Sequence, residues 1–203
     1  MALTAGMVSG EDIVRGGRMP AFYLSLIAVV LAGLGARDQV TLAGVALHQR
    51  GRPALLVVAV LCACATGALA VWAAGRMLPI LPPPARMIFA AVAVGFAGAE
   101  SMLLVPRRAL AEPTRSLGAL ALVLLARQVT DAGRFLIFGL GVGMGAPLAA
   151  GAGGILGSAA LVFFAWARPE LLETPGARLI RRAVGGVLLL AALILFLSEF
   201  GIL

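Results

Sequence analysis

Six apolar stretches divide the chain, running roughly from Pro20 to Leu47, Pro53 to Met77, Ala85 to Val105, Ser116 to Gly143, Pro147 to Ala167 and Leu179 to Leu203. About 20 consecutive apolar residues suffice to cross hydrocarbon as a helix, so each stretch predicts one spanning helix. The first and fourth are longer than a single crossing needs, since 28 residues make a helix of about 42 Å. Both are also interrupted by charge near the middle. Arg37 and Asp38 separate AFYLSLIAVVLAGLGA from QVTLAGVAL, and RQVTDAGR, from Arg127 to Arg134, separates SLGALALVLLA from FLIFGLGVGMGA. An ionisable side chain at bilayer depth costs on the order of 2.5–3.5 kcal/mol on insertion scales, and it faces protein or a cavity instead of lipid. On a continuous helix Arg127, Asp131 and Arg134 stand at i, i+4 and i+7 and share one face, with Gln128 beside them. Tilting, or a break near the charges, would absorb the excess length, and Gly33, Gly35 and Gly133 favour a break.

The two interruptions are 93 residues apart, Asp38 to Asp131, close to half of the 203-residue chain. ALHQRGRPALLVVAVLCACATGALA after the first lines up with GLGVGMGAPLAAGAGGILGSAALVF after the second, with Pro53 and Pro147 94 residues apart. Proline suits the first turn of each following helix. The pattern predicts an all-α polytopic membrane protein with six transmembrane helices arranged as two inverted three-helix repeats. Its parts are an extracytoplasmic N-terminal segment (1–19), a first repeat (20–105), a cytoplasmic linker (106–115) and a second repeat (116–203). In transporters built this way the binding site lies near the midplane, on interrupted helices where the repeats meet. Gly153 with Gly157, and Ala150 with Gly154, are small residues four apart that let the fifth helix lie close to a partner.

Composition agrees with a membrane protein. The chain is 62% hydrophobic and its mean hydropathy is +1.06, more apolar surface than a soluble domain of this length can hide. The 16 basic residues are all arginine and give a net charge of +7. They cluster at the ends of apolar stretches, where they meet lipid headgroups, and form no basic stripe outside the membrane, which excludes nucleic acid as a partner. The loops after spans one, three and five hold nine arginines (50, 52, 107, 108, 115, 168, 178, 181 and 182), against four (15, 18, 76 and 86) on the opposite side. Basic loops stay cytoplasmic, so both termini are expected outside the cytoplasm, in a bacterial inner membrane. Glu11, Asp12, Arg15 and Arg18 precede any apolar run, so the first spanning helix is expected to direct insertion. Cys62 and Cys64, at i and i+2, offer neither a disulfide framework nor a soft-metal site. His48 reads as an interfacial residue. Glu100, about 7 Å from the end of the third helix, is expected to snorkel to the interface or pair with Arg107 or Arg108. With one histidine and no nucleophile–base pair, the chain is not expected to be an enzyme.

This arrangement resembles the GDT family of cation/proton exchangers of the Golgi membrane and their bacterial relatives, and is more loosely similar to the lysine exporter superfamily. GDT proteins have six helices in two inverted repeats, each first helix carrying the signature E-x-G-D-(K/R)-(T/S). Asp38 and Asp131 match the two aspartates. Elsewhere the chain departs from the signature: Gly35, Arg37, Gln39 and Val40 stand at the other positions of the first copy, and Gln128, Thr130, Ala132 and Gly133 at those of the second. The resemblance implies a transported Mn2+ or Ca2+ exchanged for protons, and no resident cofactor. Asp38 and Asp131 would be the metal ligands, with Gln128, Thr41 and Thr130 supplying neutral oxygens.

Two further readings stand beside that one. Hard dications want several oxygen ligands, and the four carboxylates of the family's site are reduced here to two. Arg37, Arg127 and Arg134 meanwhile put positive charge into the same region, which suits an anion or a zwitterionic solute. Alternatively the charges form a buried structural network in a non-transporting membrane protein. Buried acids and guanidinium groups tend to pair, so Asp38 is expected to meet Arg127 or Arg134, and Asp131 to meet Arg37.

Overall fold

The computed structural model describes residues 10–49, 52–104 and 116–202. The linker expected over 106–115, together with Arg50, Arg107, Arg108 and Arg115, lies outside the described residues. The chain runs through α1 (Gly10–Gly33), α2 (Arg37–His48), α3 (Pro53–Met77), α4 (Pro83–Leu103), α5 (Leu117–Val129), α6 (Ala132–Gly143), α7 (Pro147–Ala167), a 3-10 turn (Pro169–Glu173) and α8 (Pro175–Glu199). No strand occurs among the described residues.

Both overlong stretches are broken at their charges. The first bends by 60° between α1 and α2, and Gly35 makes the turn at φ +70°, a conformation in which a side chain would be strained. The second breaks at Thr130 and Asp131, which end α5 and cap α6 respectively. Arg127, Asp131 and Arg134 therefore do not share one helix face, as a continuous helix would have required. α1 also starts ten residues before the expected Pro20, at Gly10, and takes Pro20 into its interior.

Four helices are long and apolar enough to cross a membrane, and the bent α1–α2 pair makes a fifth candidate. The fourth predicted span is instead two shorter apolar helices, α5 and α6. Leu61, Trp72, Leu148, Leu179, Val187 and Leu190 stand exposed on the outer surface. In water so much exposed apolar surface would drive association, whereas in lipid it is the natural boundary, and the chain is an integral membrane protein.

α1 lies along α7, α4 along α8, and α6 packs among α1, α3, α4 and α7. Small residues set these distances. A Cβ on Gly153 would fall on the carbonyl oxygen of Phe22, and one on Gly157 would sit 3.1 Å from that of Leu26, so this glycine pair seats α7 directly on the α1 backbone. Gly154 faces Ile137 and Ser25, with Ala150 buried one turn away. Gly98 and Gly185 do the same for α4 and α8: a Cβ on either would meet the other's carbonyl oxygen at 2.8–2.9 Å.

The interior has two apolar clusters. One joins Leu42 and Val45 of α2, Leu55, Ala59 and Ala63 of α3, Leu120 and Leu124 of α5 and Val162 of α7. The other joins Val29 of α1, Ala70 of α3, Val94 and Ala97 of α4, Leu136 and Ile137 of α6 and Ala192 of α8. α3 serves both, and Thr66 lies on it between Ala63 and Ala70. The buried polar side chains form a layer at that level, between the two cores.

Candidate functional site

The layer is built on the two helix breaks. A helix start leaves backbone N–H groups without intrahelical acceptors, and each break supplies an acid to meet them. Asp131 caps α6, its Oδ2 accepting from the Gly133 amide at 3.2 Å. Asp38 lies in the first turn of α2, where its charge complements the helix dipole; its Oδ1 accepts from the Gln39 amide at 2.8 Å. The breaks are joined directly, since Gln128 Nε2 donates to Asp38 Oδ2 at 3.1 Å. Gln128 itself is fully buried, and its Oε1 accepts from the Thr66 hydroxyl at 3.4 Å.

The expected pairing of each aspartate with an arginine is absent among the described residues, where the ion pairs are those of Glu100. Arg181 Nη2 lies 2.8 Å from both Glu100 oxygens, and Arg37 Nε is 3.2 Å from Glu100 Oε1. Glu100 thus does not snorkel: it is buried between α2 and α8, while Arg107 and Arg108, its other expected partners, lie outside the described residues. Arg181, counted above as an orientation-setting loop residue, is buried in α8 and donates to the Gly35 carbonyl at 2.7 Å. The Gly35 amide in turn donates to Gln39 Oε1 at 3.1 Å, so both polar groups of the turning residue are satisfied.

The remaining guanidinium contacts go to neutral oxygens. Arg37 Nη2 crosses to the second break and donates to the carbonyl and the hydroxyl of Thr130, at 3.2 and 3.3 Å. Arg127 Nη1 returns the contact, donating to the Arg37 carbonyl at 3.2 Å and to the Thr41 hydroxyl. Arg134 is hydrogen-bonded to neither aspartate. Its Nε and Nη2 donate to the Thr66 hydroxyl at 2.9 and 2.8 Å, its Nη1 to Ser158 at 2.9 Å and its Nη2 also to the Ala63 carbonyl at 3.3 Å. Thr41, Thr130 and Gln128, expected as neutral ligands, are therefore engaged within the protein. The breaks bring together Asp38, Gln128, Arg37, Thr130, Arg127, Thr41 and Asp131, whereas Arg134 serves α3 and α7.

Sequence reasoning missed Glu100, Arg181, Thr66 and Ser158 as members of this network. Only Glu100 left a signal, as the one charged residue between Arg86 and Arg107 in an apolar helix.

Asp131 lies within electrostatic reach of Asp38 and Glu100, and of Arg134 and Arg181. Among the described residues, the buried side-chain polar atoms without a hydrogen-bond partner are Ser25 Oγ, Ser101 Oγ, Arg37 Nε, Arg181 Nε and Asp131 Oδ1. Asp131 Oδ1 is the sole carboxylate oxygen of this set, and such an atom wants a proton, a cation or a donor. No group of three or more His, Cys, Asp or Glu side chains arranged to hold a metal occurs among the described residues. Beside the layer a cavity of about 160 Å3 opens among Thr66, Leu69, Ala70, Val129, Arg134 and Phe138.

Set against protein families, characterised proteins and solved structures, the chain matches none.

Proposed function

We propose that this protein is a secondary transporter of the bacterial inner membrane, with two inverted three-helix repeats and both termini outside the cytoplasm. Its substrate site lies where the α1–α2 and α5–α6 breaks meet, and it works as a cation/proton exchanger on Asp38 and Asp131. Mn2+ and Ca2+ are the transported ions that the likeness to GDT proteins suggests. A dication and a pair of protons neutralise the same two carboxylates, so binding one displaces the other and the two fluxes are coupled.

The observation that carries this reading is the orphaned Asp131 Oδ1, set in a layer where each of four guanidinium groups already donates to a protein oxygen. A purely structural ion network pairs its acids with its arginines, and here both aspartates are left out of the pairing. An anion site needs donors turned toward the ligand, and most of these donors are turned toward hydroxyls, carbonyls and Glu100.

The test uses Asp131→Asn. Asparagine caps a helix about as well as aspartate, so the variant keeps the start of α6 and removes the charge. Purified wild-type protein is expected to gain thermal stability with Mn2+ or Ca2+, by an amount that grows as RT ln(1 + [L]/Kd), and to take up the ion into proteoliposomes against a proton gradient. Asp131→Asn is expected to fold and to lose both responses. A wild type indifferent to divalent cations, or a variant that still responds, overturns the exchanger reading.

A further inference from the structure

We propose that the cavity beside the polar layer binds a small monocarboxylate with an apolar body of about the size of benzoate, and that Arg134 receives the carboxylate. This site is separate from the two aspartates and does not rest on the exchanger reading. The guanidinium groups of Arg37, Arg127, Arg134 and Arg181 share the layer with the carboxylates of Asp38, Asp131 and Glu100, four against three, so one positive charge is left over when all are ionised. Arg37 and Arg181 lie on Glu100, and Arg127 is only partly buried. Arg134 is 5% exposed and has no ion pair among the described residues. Asp131 is within electrostatic reach of it but gives its bonded oxygen to the Gly133 amide. A buried charge without an opposite partner is costly, and here that charge is Arg134.

Arg134 is also the one charged residue in the cavity wall. Of the five N–H donors of a guanidinium, four make hydrogen bonds, all to neutral oxygens: two to the Thr66 hydroxyl, one to Ser158 and one, at 3.3 Å, to the Ala63 carbonyl. One Nη1 hydrogen is left without an acceptor. A carboxylate at this wall gains a charge-assisted hydrogen bond there while the other four stay in place. Elsewhere the wall is formed mainly by Leu69, Ala70 and Ala73 of α3, Val129 at the end of α5, and Phe135 and Phe138 of α6. A hydrated inorganic anion would lose water against these side chains with nothing in return, whereas an apolar body is favoured by them. A dry cavity of about 150 Å3 takes a benzene ring, and this one measures about 160 Å3, which suits a single ring carrying one carboxylate. Leu69 and Val129 are exposed on the outer surface, so the mouth opens on the lipid-facing side, where α5 stops.

Equilibrium dialysis of radiolabelled benzoate with the purified full-length chain in detergent micelles, with empty micelles as the blank, tests this. Unlabelled benzoate is expected to displace the label. Acetate, which lacks the body, and benzyl alcohol, which lacks the charge, are each expected to compete about tenfold less well. Arg134→Gln is expected to weaken benzoate binding by about the same factor and to leave that of benzyl alcohol unchanged. Ala73→Leu leaves Arg134 and its partners in place and fills the cavity; it is expected to stay folded and to abolish benzoate binding, and it keeps the site testable if Arg134→Gln does not fold. Benzyl alcohol that competes as well as benzoate makes the cavity an apolar void open to lipid chains and overturns the proposal. So does benzoate binding that survives either Arg134→Gln or Ala73→Leu at wild-type strength, or a wild type that binds no benzoate.

Discussion

Replacing Glu100 by leucine probes a buried charge cluster. Glu100 is 7% exposed and its partner Arg181 2%, and the carboxylate receives Arg181 Nη2 on both oxygens at 2.8 Å. Leucine is close in volume, so the loss is electrostatic: Arg181 keeps only its bond to the Gly35 carbonyl, and Arg37 loses its ion-pair partner. Removing one member of a buried pair costs about 3–5 kcal/mol, because the survivor stays charged in a medium that solvates it poorly. Unfolding in mixed micelles, followed by the fluorescence of Trp72 and Trp166, is expected to show a loss of that size. The double variant Glu100→Leu/Arg181→Leu is expected to recover at least half of it, since an apolar pair of similar volume often replaces a buried ion pair without loss. A single variant within about 0.5 kcal/mol of wild type, the size of an ordinary surface substitution, would show that water reaches the cluster and would refute this reasoning.

Two further outcomes are expected. Gly153→Ala, whose methyl would collide with the Phe22 backbone, should push α7 away from α1 and cost about 1–3 kcal/mol, as overpacking does; the same unfolding assay reads it, while Gly44→Ala, with open space at its Cβ, should be neutral or better. Cysteine-labelling of residues added at each terminus of a variant lacking Cys62 and Cys64 should occur from the periplasmic side in intact cells, and labelling only after the membrane is permeabilised would reverse the proposed orientation.

The positions of both breaks were legible in the sequence because a charged run inside an apolar stretch admits few alternatives in lipid, and Gly35 supplied the conformation the first bend needs. What each arginine does was not legible. Matching opposite charges across the two repeats assigned the arginines to the aspartates, whereas each aspartate also lies at a helix start and takes its donors from backbone amides and Gln128. Hydroxyls of Thr66 and Ser158 then satisfy Arg134 from two other helices, a solution with no signature in a linear pattern. Glu100 and Arg181 are 81 residues apart, and nothing local to either announces the other. The six-span count was read from length alone, and length does not separate one bent span from two short helices.

The division of the fourth apolar stretch bears on how the protein is made. α5 has 13 residues and α6 has 12, each near 20 Å long and short of the roughly 30 Å hydrocarbon thickness, so neither can settle across the bilayer by itself. Arg134 finds its acceptors on α3 and α7, one synthesised earlier and one later. The ribosome therefore delivers a charged pair of short helices that is uncomfortable in lipid until α3 is in place on one side and α7 arrives on the other, which makes the N-terminal half a scaffold for membrane integration of the C-terminal half.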